Sequence, residues 1–280
     1  MTHKIYQIDS FTGEVFRGNP ACVVILECEL SDTVLLHIAS ENSVAETAFI
    51  LPEGDKLYLR WFTPDIEMDL CGHATLASAY TIFHFMPEYV KENKVVFHTC
   101  EGEISVYREL DEAGGEMFSM DFPVRRGEKA TLPLPIRNSL GKQPSEVYLS
   151  RDYLLIYDSA ADILSMEINR EELDRINLGT GGVIVSAPGP HPEDMCYARI
   201  GACDFVSRFF TPKATILEDP VTGSAHCTLA PYWAFRLGRE QLYARQLSAR
   251  RGELVCEMSG NRVMIKGKAV CYLTGEISVD

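Results

Sequence analysis

Glu46 has the setting that first suggests chemistry. In Ser43-Val-Ala-Glu-Thr-Ala-Phe-Ile50, strand alternation puts Val44, Glu46, Ala48 and Ile50 on one face. A carboxylate held among aliphatics titrates closer to neutrality, the condition for taking and returning a proton near pH 7. A strand glutamate is more commonly on a solvated edge or ion-paired, and the pattern alone favours that setting. His73 follows Gly72 at the start of an apolar stretch, where a helix N-terminus would keep its imidazole neutral; a core or capping histidine is the commoner explanation. Asp219 and Ser224, in Glu218-Asp-Pro-Val-Thr-Gly-Ser224, are equally explained as turn and cap residues. Cys71 is open to two readings: a thiol activated at a helix start to act as base or nucleophile, or an ordinary buried cysteine. A two-base racemase would need a second thiol, but Asp219 to Ser224 holds none and Cys227 lies within the following apolar stretch. His3, His37, His84, His98, His191 and His226 show no metal-ligand pairing, and the nine scattered cysteines have neither CxxC nor zinc-type spacing. Reduced thiols and a cytoplasmic location are expected.

Two stretches must position these residues. Leu70 to Pro87 and Pro220 to Phe235 contain no Asp, Glu, Lys or Arg, and a helix without a charged face is buried all round. Each opens on a Gly turn, Cys71-Gly72-His73 and Thr222-Gly223-Ser224, and the free amides of a helix start attract anions. Ser31 to Glu41 reads as an ordinary amphipathic helix with Ser31 as N-cap. Short β-rich runs dominate elsewhere, among them Pro20 to Leu26, Lys56 to Phe62, Lys94 to His98, Gly102 to Tyr107 and Glu116 to Phe122.

Internal repeats organise the chain. Arg60-Trp-Phe-Thr-Pro64 precedes the first charge-free stretch and Arg208-Phe-Phe-Thr-Pro212 the second; Gly102-Glu-Ile-Ser-Val106 recurs as Gly275-Glu-Ile-Ser-Val279. The expected fold is α+β, with two pseudo-duplicated domains, each a rolled, mostly antiparallel sheet around a central apolar helix. The halves are expected at 1–125 and 126–280, joined through the Pro-rich stretch from Phe122 to Gln143, with the last strand free to pair with either half. A pseudo-twofold would set the two helix starts across one cleft as a carboxylate trap.

The 280 residues suit two domains, and 46% hydrophobic with 24% charged residues is ordinary globular composition. A net charge of -14 repels polyanions, so nucleic acid is not an expected partner. The first residues lead directly into Ile5-Tyr-Gln-Ile-Asp9 with no apolar run of signal-peptide length, and no uncharged stretch reaches the ~20 apolar residues of a membrane span.

The chain resembles the PhzF-like isomerase family of phenazine biosynthesis. The match runs through Asp9-Ser-Phe-Thr with Gly18-Asn-Pro20, Ala39-Ser-Glu with Glu46-Thr-Ala-Phe, and Arg60 to Pro64. It continues through Asp69-Leu-Cys-Gly-His-Ala-Thr-Leu-Ala-Ser78, Glu218-Asp-Pro-Val-Thr-Gly-Ser-Ala-His226 and Arg251-Gly-Glu-Leu254. The resemblance implies a diaminopimelate-epimerase-like fold, a homodimer, and neither metal nor organic cofactor. It places the family's acid/base glutamate on Glu46, its histidine on His73, its aspartate on Asp219 and its serine on Ser224. Gly72 and Gly223 fall where a substrate carboxylate is held, and Asn19 in a loop near the site. The family reaction isomerises a dihydro-hydroxyanthranilate by moving a proton between ring carbons. An isomerase acting on a small cyclic or unsaturated carboxylate through Glu46 is therefore expected. The alternatives are a thiol-based amino-acid racemase or epimerase using Cys71, and a catalytically silent binding protein of the same fold.

Overall fold

The computed structural model describes residues 1–279. The chain divides into two units, one built from Met1–Asp121 with Ile265 onward, the other from Phe122–Met264. In the first unit the elements are β1 (Thr2–Ser10), β2 (Asn19–Ile25), α1 (Asp32–Asn42), β3 (Glu46–Glu53), β4 (Lys56–Phe62), β5 (Glu67–Met68), α2 (Gly72–Phe85), β6 (Lys94–Thr99), β7 (Gly102–Leu110) and β8 (Glu116–Pro123). The second holds β9 (Glu128–Lys129), α3 (Leu134–Ser139), β10 (Glu146–Leu149), β11 (Tyr153–Ile156), α4 (Ala160–Ser165), α5 (Arg170–Leu173), β12 (Val183–Pro188), α6 (Tyr197–Ile200), β13 (Phe205–Phe210), β14 (Glu218–Asp219), α7 (His226–Leu237), β15 (Gln241–Gln246) and β16 (Gly252–Ser259). β17 (Arg262–Gly267) carries the chain back, and β18 (Ala269–Ser278) completes the first unit. The last strand, left open to pair with either half, pairs antiparallel with β1 along its length, and residues 265–279 group with the first unit.

The first unit's sheet runs β18-β1-β2-β3-β4-β6-β7-β8, with β5 added to β4. β2/β3 and β4/β6 are parallel, the other neighbours antiparallel. α2 packs against β1, β2, β3, β6 and β18, and every residue from Gly72 to Ala79 is buried. Small side chains (Ala74, Ala77, Ala79) let the strands approach, and the buried hydroxyls donate within the helix: Thr75 to Cys71 O at 2.5 Å, Ser78 to Ala74 O at 2.7 Å, Thr81 to Ala77 O at 2.9 Å. α1 seats Leu35, Ile38 and Ala39 against Phe49 and Phe62. Ser31 stands at its N-cap position without a side-chain cap bond.

The second unit repeats the pairing sequence. β10/β11 antiparallel, β11/β12 parallel, β12/β13 antiparallel, β13/β14 antiparallel, β13/β15 parallel and β15/β16 antiparallel reproduce β1 through β7 step for step. The Arg-Trp-Phe-Thr-Pro and Arg-Phe-Phe-Thr-Pro segments do the same work in each: Arg60 Nε and Arg208 Nε both donate at 2.7 Å to a glutamate, Glu67 and Glu218, and their guanidinium groups lie 5.1 and 5.0 Å from the Phe62 and Phe210 ring centres. The Gly102–Val106 and Gly275–Val279 identity, by contrast, does not join equivalent strands. The counterpart of β7 is β16, where Gly252-Glu-Leu-Val-Cys256 occupies the place of Gly102–Val106.

α7 contains Pro231, which has no N–H to give to the helix. The freed Cys227 carbonyl accepts the Arg125 amide at 2.8 Å, and the helix stops on Gly238 at φ 65.

Candidate active site

In the first unit, α1 ends on Ser43 in the left-handed region, and three residues later Glu46 opens β3, opposite Ala21 of the parallel strand β2. Thr47, Ala48, Phe49 and Ile50 are all buried, so β3 is covered on both faces and the simple in-and-out alternation does not apply. The Glu46 side chain is only 13% exposed. Cys71 precedes α2 in extended conformation, and Gly72 and His73 supply the first helical amides, which have no carbonyl partner within a helix.

Glu46, Cys71 and His73 meet. His73 Nε2 lies 3.2 Å from Glu46 Oε2, and Cys71 Sγ lies 3.5 Å from His73 Nδ1. The first contact would be an ion pair only if the imidazole were protonated. Burial pushes the His73 pKa down to about 3, so it is a neutral imidazole that faces the glutamate. Ser10 Oγ donates to the His73 carbonyl at 2.8 Å and ties the helix start to β1. Asn19, expected in a loop, is instead the first residue of β2, paired with Ser10 and buried. Gly18 before it, at φ 62, lies so close to the Ser10 carbonyl that no Cβ fits.

In the second unit, Asp219 ends β14 opposite Phe209. Thr222 Oγ1 donates to Asp219 Oδ2 at 2.5 Å, and Gln246 Nε2 donates to the Asp219 carbonyl at 2.7 Å. The Thr222 amide donates to Gln246 Oε1 at 2.9 Å. Gly223 and Ser224 form the turn before α7, their carbonyls accepting the amides of His226 and Cys227. Ser224 is not the cap residue, since Ala225 holds that position.

Sequence reasoning passed over Gln246 and His226. His226 is fully buried, with its Nδ1 2.8 Å from the Thr222 carbonyl. A carbonyl only accepts, so Nδ1 carries the proton; burial pushes the pKa down to about 4 against the smaller opposing effect of that bond. The available signal was a repeat: His73-Ala-Thr-Leu-Ala77 and His226-Cys-Thr-Leu-Ala230. Gln246 carries no local signal, because its partners are 24 and 27 residues away.

The duplication also shows what the second unit lacks. Thr47 pairs with Phe62 and Val183 with Phe210, so the counterpart of Glu46 is Gly182. A Cβ there would run into the Phe209 ring and come within 2.8 Å of the Phe210 carbonyl oxygen. Among the described residues, Glu46, Cys71 and His73 offer three metal-type donor atoms within 4.8 Å of one another. Two cavities, about 530 Å3 in the second unit and about 380 Å3 in the first, are lined by none of the expected site residues. No described helix is long and apolar enough to cross a membrane.

A mixed sheet built twice around a charge-free helix is an epimerase-like fold. The chain superposes with a TM-score of 0.62 on a hydroxyproline epimerase of Agrobacterium vitis, covering 100% of this chain and 93% of that one at 11% identity, a likeness of fold alone. Closer matches give the family. The phenazine biosynthesis-like protein family, PhzC-PhzF, matches residues 8–275, and the chain belongs to it. It is 42% identical over 277 residues to the uncharacterized isomerase PA2770 of Pseudomonas aeruginosa, covering 99% of each chain. A PhzF-family phenazine biosynthesis protein of Enterococcus faecalis has a TM-score of 0.87 at 39% identity, with 100% of both chains covered.

Proposed function

We propose that the protein is a cofactor-independent isomerase that moves a proton between carbons of a small cyclic or unsaturated carboxylate, with Glu46 as the acid and base. The observation that carries this reading is a largely buried carboxylate 3.2 Å from an imidazole that burial keeps neutral. Such an imidazole neither traps the carboxylate in a fixed ion pair nor competes for the substrate proton, while its N–H can orient either form of Glu46. In this reading the Gly72 and Gly223 turns bind substrate carboxylate, and Asp219 and Ser224 hold polar substituents of the substrate. A cytoplasmic homodimer completes the reading, in keeping with nine free cysteines and the family match.

Cys71 supports a second reading, a thiol-based racemase or epimerase, because its sulfur is 3.5 Å from His73 Nδ1. Against it, the turn before the charge-free helix of the second unit, Asp219 to Ser224, holds no cysteine. Solvent-deuterium incorporation over a panel of small carboxylates separates the two. Exchange that survives in Cys71→Ala and vanishes in Glu46→Gln supports the isomerase; the opposite pattern overturns it in favour of the thiol enzyme.

A further inference from the structure

We propose that Glu46, Cys71 and His73 also form a binding site for a zinc-type divalent cation, one ion per chain, whose occupancy blocks proton transfer. The ion is an inhibitor and has no part in the turnover of the enzyme. Four observations lead here. The donor set is one carboxylate, one thiol and one imidazole, a mixture that suits borderline-soft first-row ions and not the all-oxygen preference of magnesium or calcium. Glu46 Oε2 lies 3.2 Å from His73 Nε2 and Cys71 Sγ lies 3.5 Å from His73 Nδ1, so the carboxylate and the thiol approach opposite nitrogens of one ring. One atom from each residue lies within 4.8 Å of the other two, so small side-chain shifts close the set on one ring nitrogen.

The third observation is that His73, 2% exposed, has its Nε2 buried without an aligned hydrogen bond, and a buried ring nitrogen in that state gains from any partner that arrives. Finally, the scaffold is rigid where it must be. His73 and Cys71 are two residues apart across a helix start that Ser10 ties to β1, and Glu46 opens a fully paired strand. Three protein ligands leave a fourth position to solvent, the arrangement of an open site. On binding, the Cys71 S–H releases its proton to solvent, the sulfur bonds to the ion, and the imidazole gives a lone pair without changing its charge. The second unit cannot build the same set, because Gly182 stands at the place of Glu46 and the turn from Asp219 to Ser224 holds no cysteine.

The site itself does not depend on the isomerase reading; the block of proton transfer does. Titrating the reduced full-length protein with Co2+ alone tests the site. The expected result is a thiolate-to-cobalt charge-transfer band in the near ultraviolet with visible bands of four-coordinate cobalt, saturating at one ion and releasing roughly one proton per ion. The band disappears in Cys71→Ala, and in Glu46→Gln and His73→Asn affinity falls by at least the roughly 10–100-fold that losing even an outer partner of a metal ligand costs. Circular dichroism of each variant confirms that it is folded. No band in the unmodified protein, or one unchanged in Cys71→Ala and therefore due to another of the nine cysteines, overturns the proposal. Zn2+ suppression of deuterium exchange, reversed by a chelator, then tests the inhibition. Exchange that continues in the cobalt-loaded protein sinks the inhibitory role while leaving the isomerase intact, and exchange that survives in Glu46→Gln sinks the isomerase while leaving the site intact.

Discussion

The two units share a pairing sequence, a buried helix, an Arg–Glu pair and a His-x-Thr-Leu-Ala helix start, yet their histidines face different surroundings. His73 looks onto a carboxylate, whereas His226 is tied by Nδ1 to a backbone carbonyl and has Gly182 where its twin has Glu46. Packing fixes the difference. Phe209 fills the space beside Gly182, so no Cβ fits there. A duplicated fold thus gives both copies the same frame and sets a carboxylate beside a buried histidine in one, while the other holds Asp219 in a fixed network.

The sharpest way to test that division is to remove the carboxylate. Glu46→Gln should lower proton exchange about 10^2–10^4-fold with an unchanged melting temperature, because one buried acid becomes its isostere. Measured together by deuterium incorporation and thermal unfolding, a loss of stability comparable to the loss of exchange would mean that Glu46 is structural.

Next in size is a pH effect common to both copies. Each histidine is a base whose folded pKa, about 3 for His73 and about 4 for His226, lies below its ordinary value of 6.5. Between these limits the unfolded chain binds more protons. The stabilisation is therefore whole above about pH 6.5 and is lost as pH falls toward 4 for His226 and toward 3 for His73, at up to about 1.4 kcal/mol per pH unit for each. Urea midpoints across this window should show the slope, and His226→Gln should roughly halve it between about pH 6.5 and 4 while leaving the part between 4 and 3 unchanged.

Gln246→Ala is expected to cost about 1–3 kcal/mol, since it strands the buried Thr222 amide and Asp219 carbonyl. Its exchange rate should fall as well, which Gln246→Glu, retaining an acceptor for Thr222, would partly restore. The smallest effect separates the paired arginines. Arg208, whose side chain is 13% exposed, also donates to the Ile163 and Met166 carbonyls, whereas Arg60, 35% exposed, reaches Asp32 instead. Arg208→Lys should destabilise by about 1–2 kcal/mol and Arg60→Lys by less than about 1, as read from urea midpoints.

Much of the frame was legible in the residues. The absence of charge between Leu70 and Pro87 announced the buried helix α2, and Arg60 to Pro64 with Arg208 to Pro212 announced the duplication, because both features follow from local physical demands. The Gly-Glu-Ile-Ser-Val identity misled, since strands draw on a small alphabet and five letters recur without structural equivalence. Glu46 was underrated by its own pattern: alternation presumes one wet face, and a parallel strand lying under helix packing has none. Asn19 entered a strand because pairing with Ser10 is set by a partner nine residues away. His226 and Gln246 stayed hidden because backbone atoms, which carry no letter, are among their partners.

The antiparallel pairing of β18 with β1 has a consequence for biosynthesis. β1 is among the first segments made and β18 follows it by about 260 residues, so β1 waits for this neighbour through nearly all of translation. At about 5–20 residues per second that interval is on the order of tens of seconds, during which the unit bearing Glu46 holds an open sheet edge. The unit bearing Glu46 therefore closes that edge only after β18 has been made, and nascent-chain proteolysis would find β1 open until then.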